Sequence, residues 1–398
     1  MFYVVIVLSM SFILFLLVKA DFHFGRKSLL ISERPVHLEM KTAELKLFST
    51  GDEFITHLQQ DLFHAQKHIH ILFYIFRDDH IGHKMIDLLE TKAKQGVTVR
   101  LLVDMFGCKM SWNCRRKLKK AGVQFKLSPP LGFPYFFFKL NQRNHRKIVI
   151  CDGQIGYYGG YNIGDEYLGR DPKFGKWRDL HIRMEGEALK ELQRSFLNDW
   201  EDANRRAFKE TNLLNIRSRG TSDMELFPSN GFFLEDTHLE HINKAQSSIT
   251  LATAYFIPSE KLQQALLQAA ARGVNISIIV PKESDHPFVR EAAFPYYQAL
   301  LLAGVQIFQY YRGFFHTKAI VFDHSVAYIG TANFDKRSLF TNLELNSYIY
   351  DEDFVAEVNL VLQYDRSISH PLTIKEWEQR SLWFRMRERI GTLFSSFL

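Results

Sequence analysis

The sequence predicts an α/β protein of two fused lobes, each a mostly parallel β-sheet flanked by helices, behind an amino-terminal transmembrane helix. Three observations predict it. One polar motif occurs twice at a constant offset. Each copy is preceded by an apolar, helical, apolar alternation that reads as a βαβ unit. The chain opens on an uncharged apolar run.

The apolar run comes first. Residues 2–18 carry no charge, and only Ser9 and Ser11 are polar. At ~1.5 Å per residue they span ~25 Å, the short end for one membrane helix. Nothing basic precedes the run, and Val18-Lys19-Ala20 is a poor cleavage site. An anchor at 1–19 is therefore expected over a removable signal peptide. Lys19, Arg26, Lys27 and Arg34 follow it, after which a juxtamembrane linker is expected at 20–40. By the positive-inside rule the lobes then lie in the cytoplasm of a single-pass cell-membrane protein.

The repeat sets the lobes at 41–215 and 216–370. Ala121-Gly122-Val123-Gln124 recurs as Ala303-Gly304-Val305-Gln306. Apolar runs at 69–76 and 249–257 lead into helical stretches at 81–94 and 259–272. These end near Gly96 and Gly273, as helix C-termini commonly do, and β-rich runs follow at 97–103 and 274–280. Arg217, Ser218, Arg219, Gly220, Thr221, Ser222 and Asp223 read as the polar connection between lobes.

The motif, H-x-K-x4-D-x6-G-[GT]-x-N, occupies 145–162 and 316–333. His145, Lys147, Asp152 and Asn162 recur as His316, Lys318, Asp323 and Asn333, each 171 residues on. No packing rule demands the same polar set twice at one spacing. Each copy supplies an imidazole, a cation two residues away on the same face of a strand, and an amide donor. That set suits a phosphodiester. Lysines and the amides of Asn162 and Asn333 would stabilise the charge developing on its oxygens. One neutral imidazole would attack phosphorus, and the opposite imidazolium would protonate the leaving alkoxide and then serve as base. Each ring needs a carboxylate to fix its tautomer, and Asp179 and Glu344, which follow the two motifs, are the candidates. Asp152 and Asp323 either join this catalytic set or brace the turn. A lysine beside each histidine argues against a metal, and no cofactor is implied.

Composition narrows the function classes. The net charge of +6 suits an anionic membrane or a phosphate-bearing substrate, and is too small and too evenly spread to argue for nucleic acid alone. Cys108, Cys114 and Cys151 match no zinc pattern and imply a reducing compartment without a disulfide framework. A nuclease would want a wide basic groove and no membrane helix. A non-catalytic lipid binder would need no paired histidines.

The paired motif resembles the phospholipase D superfamily. Finer matches resemble bacterial cardiolipin synthases: Asn144 to Lys147, Gly159 to Tyr167, Trp177-Arg178-Asp179, Ser284-Asp285, Gly313 to Lys318 and Gly330 to Ser338. The resemblance covers about 40–398. It implies condensation of two phosphatidylglycerol molecules in a bacterial-type membrane into cardiolipin, with release of glycerol, at a metal-independent site. It also implies that His145 is the nucleophile and His316 the general acid. Hydrolysis, or transfer to another alcohol, is the alternative within the same chemistry, and a phosphodiester nuclease is a more distant one.

Two apolar segments remain. The run from Leu131 to Phe138 reads either as a buried strand or as an apolar loop at the cleft mouth; Pro129, Pro130 and Pro134 disfavour a long strand. In the tail, 371–398, Leu382, Met386, Ile390, Leu393 and Phe397 form one helical stripe beside Arg380, Arg385, Arg387 and Arg389, with Trp377 and Trp383 nearby. This reads as a basic amphipathic helix, lying on a membrane or on the protein itself.

Overall fold

The computed structural model describes residues 2–32, 38–207, 213–214, 216 and 220–393. Arg34, Arg217, Ser218, Arg219 and Phe397, named above, lie outside them.

Each lobe begins as the repeat predicts. In the first, parallel strands His68–Phe73, Thr98–Asp104 and Gln124–Ser128 alternate with helices His80–Lys94 and Trp112–Lys120. In the second, Ser248–Ala252, Asn275–Pro281 and Gln306–Tyr310 alternate with Glu260–Ala271 and Val289–Leu302. The helices form where expected because apolar residues recur at three- and four-residue steps. Ile81, Met85, Ile86 and Leu89 are buried on one face, and Asp79 caps the start by accepting from the Gly82 amide at 3.0 Å.

Within the main sheet parallel pairing stops there, which corrects the expectation of mostly parallel sheets. The motif strands Ile148–Cys151 and Ala319–Phe322 pair antiparallel with His68–Phe73 and Ser248–Ala252. Each then turns back within a few residues into Ile155–Gly159 or Val326–Gly330. So short a connection joins only antiparallel strands. His181–Gly186 and Leu343–Ile349 continue the antiparallel part of each lobe.

Strand Met40–Phe48 then pairs with both His181–Gly186 and Ser222–Asn230, fusing the lobes into one 15-stranded sheet. Ser222 and Asp223, expected in a polar connection, thus sit in a strand at this seam, paired with Ala43 and Thr42.

The amino-terminal helix runs Phe2–Ser32, so residues 20–32 are helix where a linker was expected. No proline interrupts it, and its single glycine is used for contact. A Cβ on Gly25 would lie 2.7 Å from Phe138 Cγ. Asp21 accepts from the Phe138 amide at 2.8 Å, and the Phe22 and Phe138 rings meet edge-on at 6.0 Å. Helix Phe136–Asn141 is thereby docked to the amino-terminal helix, and the proline-rich run before it is loop, not strand. Phe133, at 88% exposed, projects from that loop.

In the tail, helix Leu382–Leu393 packs on Val289–Leu302 through Phe384, whose ring lies 4.7 Å from that of Phe294, and through Arg387, which pairs with Glu291 at 2.7 Å. The predicted apolar stripe faces away from this contact: Leu382, Met386 and Ile390 stay exposed, as does Trp383.

Candidate active site

Two short ladders between the lobes build the site. Phe314–Phe315, just before His316, pairs in parallel with Trp177–Arg178, just before Asp179. Asn144, just before His145, bridges in parallel to Leu343, just before Glu344. The His316 amide donates to the Arg178 carbonyl at 2.7 Å, and the His145 amide to the Leu343 carbonyl at 2.9 Å. Each histidine is thus set beside the carboxylate of the other lobe. His145 Nδ1 lies 2.9 Å from Glu344 Oε2, and His316 Nδ1 lies 2.6 Å from Asp179 Oδ2.

Further contacts hold this crossing in place. Asp104, at the end of its strand, accepts from the Asn144 amide at 2.9 Å and fixes the approach to His145. Arg146 donates through Nε to the Glu344 carbonyl at 2.9 Å and pairs with Asp199 at 2.6 Å. Arg178 pairs with Asp365 at 2.9 Å and donates to the Ser49 carbonyl at 2.8 Å. The one variable position of the motif is also explained. A Cβ on Gly160 would lie 2.0 Å from Asp179 Oδ1, so the first lobe leaves that space to the carboxylate. In the second lobe Thr331 occupies the position and donates to Glu344 Oε2 at 2.5 Å.

The electrostatics favour neutral rings held by anionic carboxylates. Burial pushes His145 and His316 down, each to about 4, against the pull of their carboxylates. Burial raises Glu344 and Asp179, but the facing histidines and lysines outweigh it; Asp179 ends below its ordinary value and Glu344 at about 2. A neutral imidazole whose Nδ1–H donates to a carboxylate keeps Nε2 for the cleft. Burial also lowers Lys318, and lowers Lys147 to about 7. Lys147 Nζ donates to the His145 carbonyl at 2.7 Å, and Lys318 lies 3.6 Å from Asp179 and 2.6 Å from His316 Nδ1. Nδ1 cannot accept from the lysine while donating to Asp179; its N–H is directed to the carboxylate, since a bare ring nitrogen would repel the anion.

Both histidines and both asparagines line one cavity of about 1040 Å³, above the ordinary upper range of ~1,000 Å³ for ligand pockets. Asn162 Oδ1 accepts from the Ile75 amide at 2.9 Å, while Asn333 Oδ1 is buried without a partner.

Asp152 and Asp323 are not brought to the cleft, which corrects their place in the catalytic set. They stand at the far ends of the motif strands, where each accepts from three consecutive backbone amides: Gln66, Lys67 and His68, or Gln246, Ser247 and Ser248. The repetition reflects a brace that each lobe needs, four or five residues of strand away from the chemistry.

Sequence reasoning missed Tyr74, whose ring meets that of His145 at 4.9 Å, and Tyr255, also on the cavity wall. An aromatic residue ending an apolar strand carries no signal that separates it from core.

Comparison with known proteins places this geometry. The chain matches the family described as "Cardiolipin synthase, PLD-like domain" over residues 58–200 and 238–366. It is 39% identical to the minor cardiolipin synthase ClsB of Bacillus subtilis over 395 residues, covering 99% of each chain. It is 38% identical to a cardiolipin synthase of Oceanobacillus iheyensis, covering 96% of this chain and 83% of that one. Among solved structures it is similar in fold to the phosphatidylserine synthase of Haemophilus influenzae, with a TM-score of 0.71 at 15% identity over 91% of this chain and 98% of that one.

Proposed function

The chain belongs to the phospholipase D-like cardiolipin synthase family, and on that premise we propose that it joins two phosphatidylglycerol molecules and releases glycerol through a phosphohistidine. It is a membrane-associated phosphatidyltransferase. The observation that supports the mechanism is the crossed pair: two histidines on one cavity, each held at Nδ1 by the other lobe's carboxylate.

His145 Nε2 attacks the phosphorus of the first lipid. The bond to the glycerol oxygen breaks, and His316 supplies that oxygen with a proton. His316 must be protonated for this, although burial disfavours it in the empty cleft. The bound phosphodiester brings a negative charge that favours the imidazolium. Glycerol leaves, and His316, now neutral, takes the proton of an incoming hydroxyl as its oxygen displaces His145 from phosphorus. Lys147, Lys318 and the amides of Asn162 and Asn333 stabilise the phosphoryl oxygens throughout. Glu344 and Asp179 orient the rings.

The helix Phe2–Ser32, with its apolar span Ile6–Leu29, would cross the membrane once. Lys19, Arg26 and Lys27 support a cytoplasmic position for the lobes.

The test is incubation of the detergent-solubilised protein with phosphatidylglycerol, following lipid products. Cardiolipin and glycerol should appear together, and His145→Ala and His316→Ala should each abolish them. Phosphatidic acid as the sole product, or undiminished turnover in either variant, would defeat this reading.

A further inference from the structure

The centre of the cleft is duplicated, but the reaction is not symmetric. One lipid gives up its phosphatidyl group; the other gives only a hydroxyl. What distinguishes them must lie where the two walls differ.

The walls can be matched residue by residue. Phe76 bridges to Ile163 as Phe256 pairs with Phe334, which makes Tyr74 the counterpart of Ala254 and Ile75 that of Tyr255. The first lobe therefore has an aromatic ring at the position where the second has Ala254, and the His316 ring meets Trp177 at 5.0 Å and Phe314 at 5.8 Å. The second lobe instead presents the Tyr255 hydroxyl, 2.6 and 2.8 Å from the two carboxylate oxygens of Asp285. The connection that carries Asp285, 282–288, matches 105–111 of the first lobe, which holds no carboxylate, although Asp79, Asp165, Glu166 and Asp171 line the cavity elsewhere on the first wall. Asp285 has a side chain only 13% exposed and lines the same cavity as His316. Its charge is felt by His316 and Lys318. Its one basic neighbour among the described ion pairs, His286 at 3.6 Å, is itself mostly exposed.

Asn333 adds to the asymmetry. Its Oδ1 is unpartnered and 95% of the residue is buried, whereas the matching Asn162 Oδ1 is taken by a backbone amide. The second wall thus offers a carboxylate, a phenol and a free carbonyl, all able to accept hydrogen bonds. A carboxylate here disfavours a second phosphate and favours an uncharged group rich in hydroxyls.

Building on the phosphatidyl-transfer reading above, we propose that Asp285, with Tyr255, binds the vicinal hydroxyls of the acceptor's glycerol headgroup and selects them over water. The inner hydroxyl donates to Asp285. The terminal hydroxyl is thereby held toward the phosphorus on His145. Its oxygen attacks, the P–Nε2 bond breaks with its electron pair returning to the ring, and the hydroxyl proton passes to His316 Nε2. Water has no second hydroxyl to be held and gains nothing from the pair.

The test is the ratio of cardiolipin to phosphatidic acid formed from phosphatidylglycerol micelles by the full-length protein and by Asp285→Asn. A ratio is internal, so it does not depend on how much of the variant folds. It should fall about tenfold or more, the loss expected for one hydrogen bond to a charged group, and by less in Tyr255→Phe. With ethanol added, the ratio of phosphatidylethanol to phosphatidic acid should stay unchanged in Asp285→Asn, since neither ethanol nor water has a vicinal hydroxyl. Cardiolipin and phosphatidic acid falling in parallel would overturn the assignment while leaving the transferase reading intact. A wild-type protein that makes phosphatidic acid alone would overturn both.

Discussion

His145 is held by Glu344, a residue of the opposite lobe, at 2.9 Å from Nδ1 to Oε2, and the reciprocal contact joins His316 to Asp179 at 2.6 Å. The two lobes therefore complete each other's active groups, and neither motif forms a working histidine alone. The crossing predicts that damage to one lobe's carboxylate appears in the other lobe's step. Glu344→Gln should slow formation of the phosphohistidine on His145, and Asp179→Asn should slow protonation of the leaving alcohol by His316. Each loss should be about 10²–10⁴-fold, the usual share of a positioned acid or base. A substrate with an acidic leaving group separates them, because it needs no protonation. It should restore the first burst of leaving-group release in Asp179→Asn, though not the second step in which His316 is the base, and leave that burst slow in Glu344→Gln; equal rescue of both would contradict the assignment of roles.

Asp152 and Asp323 should behave differently from the rest of the motif. Each carboxylate gathers three backbone amides that enter a central strand, and both residues themselves adopt positive φ, 54° and 50°. Burial raises the Asp323 carboxyl, but the amides of Ser248, Ser247 and Gln246 hold it below its ordinary value overall. That stabilisation is present above the unfolded value near 3.8 and is lost as pH falls through the lower folded value. Asp152→Ala or Asp323→Ala should cost about 2–4 kcal/mol of stability, since hydrogen bonds to a charged group are lost. Turnover per folded molecule should stay close to wild type. Loss of turnover without loss of stability would return them to the catalytic set.

The contrast shows what the sequence made legible. A constant offset of 171 residues exposed the motif and its own strands, because that stretch keeps one length in both lobes, whereas the helices before it recur at shifted offsets and were legible from their apolar periodicity and glycine ends. The crossing was hidden for the opposite reason. Asp179 follows Asn162 by 17 residues and Glu344 follows Asn333 by 11, and the contacts that exchange them between lobes are ladders of two residues and one bridge. So short a pairing leaves no periodicity to read. Repetition itself misled at Asp152 and Asp323, since a brace needed by each lobe repeats as faithfully as a catalytic group. The parallel strands were legible from their crossover helices, whereas the antiparallel seam at Met40–Phe48 joins segments far apart in the chain.

Acid should destabilise the protein well above the carboxylate range. His181 and His238 are buried, and desolvation pushes both down to about 3. His181 has neither ring nitrogen hydrogen-bonded, and His238 Nδ1 lies 2.9 Å from the Tyr348 hydroxyl. Their folded values lie below the unfolded value of 6.5, so the unfolded chain takes up protons first as pH falls. Stability is complete above 6.5 and is lost between 6.5 and about 3. Each residue should contribute a loss of about 1.4 kcal/mol on going from pH 7.5 to 5.5. Urea midpoints in detergent would measure it, and His238→Gln should lose less on acidification than wild type. An identical pH slope in that variant would show that His238 is not a source.

The last prediction concerns how lipid reaches the cleft. The amino-terminal helix extends beyond its uncharged run to Ser32 and carries the loop of Phe133 with it, through Asp21, Phe22 and Gly25 against Phe138. From Val18, the end of the uncharged run, to Gly25 is seven residues, or ~10 Å along a helix. That distance keeps the loop within reach of the membrane interface. Phe133 is 88% exposed and stacks at 5.7 Å on the half-buried Phe136, so the outer ring of the pair faces solvent. Docking to this apolar helix and exposure together predict that these rings enter the acyl layer. Phe133→Ser combined with Phe136→Ser should therefore lower activity on phosphatidylglycerol bilayers about tenfold or more, since inserting one such ring is worth about 1.5–3 kcal/mol. Activity on short-chain phosphatidylglycerol below its micellar concentration should change much less, because that substrate needs no extraction from a bilayer. An equal fall on both substrates would mean that the rings shape the cleft itself. A bilayer-specific fall of the same size in Leu382→Ser with Met386→Ser would move lipid engagement to the tail helix, whose apolar stripe is also exposed.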